Sequence, residues 1–200
     1  PYQKLIDENR KRHGSDTEYE LLDSGVFDEN RYFDVFVEYA KAGPEDICVR
    51  IEAWNRGPQE AELHILPHLW FRNTWAWGNE RGTEPVIRRG PGGEGYISLI
   101  ADDTAAARPR NLPFHYQLGT RVWYVEPDGT PLFTDNETNC SRLYGAPADD
   151  GCRYVKDAFH RHIIQAEACV NPEEIGTKAC IHYRRVVKAG AATVVHLRLG

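Results

Sequence analysis

Apolar residues recur at every second position over much of the chain. Residues 32–39 read YFDVFVEY, and residues 47–54 place Ile47, Val49 and Ile51 on one face. This period of two predicts β-strands with one buried face. Further strands are predicted at residues 61–71, 95–101, 114–118, 121–126, 159–168, 178–188 and 192–199. Clusters of Gly, Pro, Asn and Asp separate the early runs, so we expect antiparallel neighbours joined by short turns.

Helical spacing is confined to two short segments. Residues 1–14 form a predicted leading helix, because Tyr2, Leu5 and Ile6 are followed by a stop at Gly14. A second helix is predicted at residues 135–144, with Thr134 or Asp135 as its N-cap and Gly145 as its stop. Many strands and few helices predict a mostly β fold, an antiparallel β-sandwich of the supersandwich type with one or two short helices.

Length and composition narrow the class of protein. The 200 residues are 41% hydrophobic, which suits a single sandwich domain over residues 1–200. The chain starts at Pro1 and contains no Met, so we expect it to be a fragment of a larger multidomain protein. No segment approaches the ~20 apolar residues of a membrane span, and no membrane partner is expected.

Charge and cysteine usage exclude further classes. The net charge is −6 and the densest basic run is only residues 10–13, which argues against a nucleic-acid partner. The five Cys form no CxxC pair, which favours reduced thiols and a cytoplasmic location. A Cys140–Cys152 disulfide is the alternative.

The chain offers no recognisable catalytic constellation. A glycosidase needs two carboxylates that flank the scissile bond. Here the adjacent acidic pairs lie in predicted turns, at residues 102–103, 149–150 and 173–174. Neither a GxSxG motif nor a phosphate-binding loop occurs. We therefore expect no catalytic residue and no cofactor in this chain.

One pattern resembles a metal-binding motif. His160 and His162 would point to the same face of a strand, and Glu167 follows them. The spacing resembles the first motif of cupins, which hold a transition metal inside a β-barrel. The flanking glycines and the downstream histidine element are missing, so a cupin-like metal-binding domain stays an alternative.

The aromatic run at residues 68–78, HLWFRNTWAWG, is more informative. Its Trp side chains need a core, an interface or a ligand cleft, because exposed indole rings are costly. Sugars bind to Trp faces through their apolar C–H groups, while their hydroxyls need hydrogen-bonding partners. The candidate carbohydrate-binding or domain-interface residues are Trp70, Arg72, Asn73, Trp75 and Trp77.

Several blocks resemble a known family. They lie at residues 20–28, 31–41, 66–78, 133–139, 154–157 and 171–179, and they include the run FTDNETN. In this order they resemble the amino-terminal region of large bacterial glucosidase-like proteins related to glycoside hydrolase family 63. The resemblance implies a β-sandwich beside a carboxy-terminal (α/α)6 barrel that carries the general acid and the general base. No catalytic residue of that family is therefore carried over to this chain.

The expected function follows from the resemblance. The chain would be a non-catalytic accessory domain that braces the (α/α)6 barrel of the same polypeptide, and the Trp70–Trp77 segment would contribute to the sugar cleft. The partners would be that barrel and an oligosaccharide. The alternatives are a free carbohydrate-binding module, a cupin-like metal-binding domain, and a purely structural or partner-binding sandwich.

Overall fold

The computed structural model describes residues 2–76, 82–107, 117–145 and 153–200. Its α-helices are α1 (Tyr2–Arg10), α2 (Cys140–Tyr144) and α3 (Ala158–Gln165), and a 3-10 helix spans Leu22–Ser24. The strands are β1 (Phe33–Gly43), β2 (Asp46–Asn55), β3 (Ala61–Ile65), β4 (His68–Trp70), β5 (Val86–Arg89), β6 (Ile97–Asp102), β7 (Thr120–Val125), β8 (Thr130–Thr134), β9 (Ile175–Gly176), β10 (Lys178–Val187) and β11 (Ala192–Leu199).

These strands form two sheets. The larger has seven strands in the order β1-β2-β11-β7-β6-β5-β9. In the smaller, four-stranded sheet, β10 pairs with β3, β4 and β8. Each pair with a described register is antiparallel. The predicted fold class, a mostly β antiparallel sandwich with short helices, is confirmed.

The register of the larger sheet explains its buried face. Ile87 lies opposite Ala101, and Leu99 lies opposite Trp123. Directly opposed residues share a face of the sheet, so these four side chains make one continuous apolar surface. All four are at most 5% exposed. The apolar residues that alternate along each strand therefore line up across neighbouring strands and form one packed layer.

The smaller sheet is covered on both faces along β10. On one face, Phe133 lies opposite Ala179, and both are buried. On the other face, which we call the outer face, Leu132 lies opposite Cys180. Phe159 of α3 packs on this pair. Both faces of β10 are thus apolar near its start, and its sequence KACIHY is correspondingly rich in apolar residues.

The chain divides into two compact units. The first consists of Pro1–Glu38, Arg50–Leu63 and Arg185–Val195, and the second of Tyr39–Val49, His64–Arg184 and His196–Gly200. In the first unit, the side chain of Asn55 donates to the carbonyls of Gln59 (2.8 Å) and Val187 (2.9 Å) and accepts from the Gly57 amide (2.8 Å). Asn55 is only 2% exposed, so these bonds satisfy a buried amide. A single domain over residues 1–200 stays a prediction.

Some element predictions were wrong. Residues 159–168 do not form a strand, because Ala158–Gln165 is the helix α3. The isoleucines at the end of this segment favour a strand locally, but the helix places Phe159 and Ile163, four residues apart, on the same apolar cluster. Tertiary packing therefore overrides the local preference.

The bounds of other elements differ from the predicted bounds. The run at residues 61–71 divides into β3 and β4, because Pro67 lacks the amide hydrogen that a continuous strand would need. The leading helix ends at Arg10, and the second helix is only Cys140–Tyr144. The N-cap of this second helix is Asn139, whose side chain accepts a hydrogen bond from the Arg142 amide. The predicted end of the helix at Gly145 is confirmed. The predicted strand at 114–118 lies mostly outside the described residues.

No helix within the described ranges is both long enough and apolar enough to cross a bilayer.

Candidate functional site

The structure separates the residues of the aromatic run by their accessibility. Trp70 ends β4 and is 55% exposed, whereas Trp75 is only 3% exposed. Arg72 is exposed and Asn73 is partly buried. Trp77 lies outside the described residues. The described Trp side chains of the run therefore do not form one continuous aromatic surface. Trp75 is buried, whereas Trp70 is exposed.

A single carboxylate holds the loop that follows β4. Trp75 donates from its indole nitrogen to Oε1 of Glu137 at 3.0 Å, and Asn73 donates to Oε2 of Glu137 at 2.6 Å. Asn73 also donates to the Asn136 carbonyl at 3.1 Å. We call Asn73, Trp75 and Glu137 the Glu137 latch. Its bonds to a charged acceptor are stronger than neutral hydrogen bonds, so the latch holds the loop in one position.

The segment that carries Glu137 is itself held on both sides. The Asn136 side chain donates to the Phe71 carbonyl at 2.9 Å, and the Asn136 amide donates to Oγ1 of Thr177 at 2.7 Å. The Glu137 carbonyl accepts from the Lys156 amide at 2.9 Å. The run FTDNETN, singled out in the sequence, is therefore the support of the aromatic loop.

A cluster of polar side chains connects the segment after Glu137 to α2 and α3. Asn139 caps α2 and also donates to the Asp157 carboxylate at 3.2 Å, and Arg142 donates to the same carboxylate at 3.0 Å. Burial alone would raise the pKa of Asp157, but the hydrogen bonds from Arg142 and Asn139 and the charge of Arg161 lower it overall. Asp157 therefore stays ionised and ties α2 to α3.

The outer face of the small sheet carries His68, an exposed residue whose ring is partly shielded by an aromatic neighbour. The ring of His68 packs edge-on against Phe159, with 5.3 Å between the ring centroids. Burial, together with the charge of Lys178, lowers the pKa of His68 to about 4. This imidazole is therefore neutral at physiological pH, which makes it a packing side chain in this position.

The cupin-like pattern assumed that His160 and His162 lie on a strand, and this assumption was wrong. His160 and His162 lie in α3, so they are two positions apart on a helix and point to different sides. His162 bonds the Glu167 carbonyl at 2.8 Å, while the Glu167 carboxylate pairs with Arg161 at 3.2 Å. Among the described residues, no group of three or more metal-binding side chains converges.

Two contacts were not foreseen from the sequence. Glu137 belongs to the block at residues 133–139 but was not a predicted site residue, and only its place in a polar run between apolar segments could have indicated it. His64, for which the sequence suggested no partner, lies with Nδ1 at 2.7 Å from Nε2 of His182. Both contacts join residues far apart in the chain, so no local pattern encodes them.

Four of the five cysteines lie within the described residues. Cys48, Cys140, Cys169 and Cys180 are free, and Cys140 is exposed. Burial raises the pKa of the Cys169 and Cys180 thiols. The proposed partner of Cys140, Cys152, lies outside the described residues. The Cys140–Cys152 alternative therefore stays a prediction.

Comparison with known proteins shows what the chain is similar to. No model of a known protein family matches the chain. The chain is similar to "Uncharacterized protein YMR196W" of Saccharomyces cerevisiae, with 32% identity over 214 residues. The match covers 97% of this chain but 20% of the yeast protein. The chain thus spans one fifth of the length of that relative.

Proposed function

We propose that this chain is a non-catalytic accessory β-sandwich domain of an α-glucosidase-type enzyme related to glycoside hydrolase family 63. It braces an (α/α)6 catalytic barrel and presents the loop after β4 to the sugar cleft. The observation that carries this proposal is the Glu137 latch, in which one carboxylate accepts hydrogen bonds from Trp75 and Asn73. A loop that completes a cleft has to be held in position before substrate arrives, and the latch supplies that rigidity.

The charged side chains of this region support a non-catalytic role. A general acid or base must reach the substrate and exchange a proton with it. Both oxygens of Glu137 accept hydrogen bonds from the loop, and Asp157 is engaged by Asn139 and Arg142. These carboxylates therefore act as structural acceptors, and the reacting pair would belong to the barrel.

The size of the yeast relative is compatible with this proposal. Only 20% of that protein aligns with the chain, so it has ample length for a catalytic domain. The barrel, its substrate and its activity are part of the proposal.

The test compares latch variants of the full-length polypeptide in hydrolysis of α-glucosides. Glu137→Gln keeps the shape of the side chain but removes its charge and one acceptor oxygen. We expect kcat/KM to fall about 10-fold, because a small displacement of a positioning loop is costly to catalysis. The matched control is Glu94→Gln, since Glu94 lies exposed in a Gly-rich loop, and it should keep the activity. The proposal fails if the polypeptide hydrolyses no α-glucoside, or if Glu137→Gln behaves like its control.

A second candidate function is a carbohydrate-binding module. The observation that favours it is the 55% exposure of Trp70, since an accessible indole can stack on a sugar ring. Calorimetric titration of this chain alone with glucose and short α-glucosides separates the two functions. Saturable binding that Trp70→Ala abolishes would identify a module, whereas no binding would favour a scaffold that works only beside its barrel.

A further inference from the structure

Three strands of the small sheet place one row of side chains across its outer face. Lys178 lies opposite Trp70 on one side and opposite Thr134 on the other. Opposed residues of antiparallel strands share a face, so the three side chains are neighbours. We call them the outer-face row. Thr134 is 0% exposed, Lys178 is partly buried and Trp70 is 55% exposed, so accessibility increases along the row towards Trp70.

Phe159 covers the neighbouring row in part, since Cys180 is buried and His68 is exposed, and this cover ends at Lys178. His68 and Cys180 lie opposite each other, two residues along the same strands. Phe159 of α3 packs on both, with its ring centroid 5.3 Å from that of His68. The Lys178 ammonium lies 5.3 Å from the same ring. Trp70 is thus the first aromatic side chain beyond the edge of this cover.

The ammonium of Lys178 lacks a counter-ion among the described residues. Within the described part of the chain it donates to the Lys156 carbonyl at 3.3 Å, which leaves two N–H groups to donate. Burial lowers the pKa of Lys178, a sign that the charged form is incompletely solvated where it lies. A partly buried cation without an anion is costly, and a bound anion would offset that cost. The unpaired Oγ1 of Thr134 is a second unsatisfied polar group of the row.

The size of the patch indicates a small ligand. A stable protein interface needs several hundred square ångströms of surface on each partner. Here the exposed indole of Trp70 lies opposite Lys178, and the exposed Arg72 follows two positions along the chain, so within the described residues charged side chains accompany a single exposed ring. One indole matches the apolar face of one pyranose ring, and two free N–H groups match the two oxygens of a carboxylate.

We propose that Trp70 and Lys178 form a subsite for an acidic saccharide, a sugar ring that carries a carboxylate. Trp70 stacks on the apolar face of the ring, and Lys178 donates to the carboxylate. The inference rests on the proposed function, because that function brings the sandwich to carbohydrate. It adds a preference for acidic sugars that the function itself does not require.

The test measures the affinity of the full-length polypeptide for methyl α-glucuronide and for the neutral methyl α-glucoside, by calorimetry. The two probes differ in one carboxylate. We expect the glucuronide to bind at least 10-fold more tightly. Lys178→Gln should remove this preference while leaving glucoside affinity within about 2-fold, and Lys178→Arg should keep part of it. Trp70→Ala should weaken both probes.

Lys156→Gln is the matched control, because it removes an equal charge beside the row while its backbone carbonyl stays in place. The subsite is refuted if the probes bind equally, if Lys178→Gln keeps the preference, or if Lys156→Gln removes it as completely. Near-ultraviolet circular dichroism verifies that each variant is folded. Hydrolysis of neutral α-glucosides is measured on the same preparations. Its absence would overturn the proposed function, whereas a missing glucuronide preference overturns only the subsite.

Discussion

Replacing Glu137 by Ala removes the acceptor on which the aromatic loop depends. The side chain receives one hydrogen bond from Trp75 (3.0 Å) and one from Asn73 (2.6 Å). Trp75 is 3% exposed, so water cannot readily replace the lost acceptor. A hydrogen bond to a charged group contributes about 1.5–3 kcal/mol, and a buried donor left unpaired costs a comparable amount.

Because Glu137 itself is only partly buried, the lower end of that range applies to each bond. Glu137→Ala should therefore reduce the free energy of unfolding by about 3 kcal/mol. In a chain of this size that corresponds to a decrease in Tm of roughly 6–12 °C. Trp75→Phe removes the indole N–H donor and leaves a smaller aromatic ring, so it should cost about 1–2 kcal/mol for the lost hydrogen bond and a further amount for the volume left empty.

Urea unfolding followed by Trp fluorescence measures these differences, and thermal unfolding gives the Tm. Glu94→Ala is the control, since Glu94 is exposed, and it should stay within about 0.5 kcal/mol of the unsubstituted protein. If Glu137→Ala loses no more than Glu94→Ala, the carboxylate does not hold the loop and the latch is refuted.

Two further predictions concern pH and backbone packing. The pKa of His68 falls from 6.5 to about 4 on folding, so between these values the unfolded chain binds a proton that the folded chain does not. Stability should therefore be lost as pH falls from 6.5 to 4, by on the order of 1 kcal/mol after solvent screening of this partly exposed ring. Unfolding measured across that window in His68→Gln should show a shallower pH dependence, and an unchanged slope would contradict the assignment. A Cβ at Gly176 would overlap the Thr134 carbonyl group, so Gly176→Ala should destabilise by about 2–3 kcal/mol. Gly14→Ala, with no atom within 4 Å of the added carbon, should be near neutral in the same unfolding assay.

Period-two alternation was sufficient to predict most strands of the sandwich. β2, β6, β7, β10 and β11 lie within one or two residues of their predicted bounds. Alternation survives in the fold where a strand buries one face, and this requirement acts on each such strand separately. The start of β10, which is buried on both faces, is marked in the sequence by a run of apolar residues. The same local logic predicted the end of α2 at Gly145, where the chain takes a left-handed conformation that glycine adopts without strain.

The segment of α3 shows where local patterns fail. Its histidines and isoleucines are compatible with a strand, and that assignment placed His160 and His162 on one face. The helix forms because Phe159 and Ile163 then reach the same apolar cluster, next to Leu132 and Cys180. These two core residues belong to strands elsewhere in the chain. The sequence of α3 alone therefore does not show that its apolar side chains have to pack against them.

The candidate site was determined in part by the sequence and in part by the tertiary structure. Density of Trp was enough to select residues 68–78, since indole rings require a partner of some kind. Which ring is buried and which is exposed was decided only when β4, β8 and β10 aligned. Glu137 lies 62 positions from Trp75 and 64 from Asn73, and Lys178 reaches Trp70 only through strand register. Composition and alternation act locally, whereas a latch or a subsite depends on which distant strands meet.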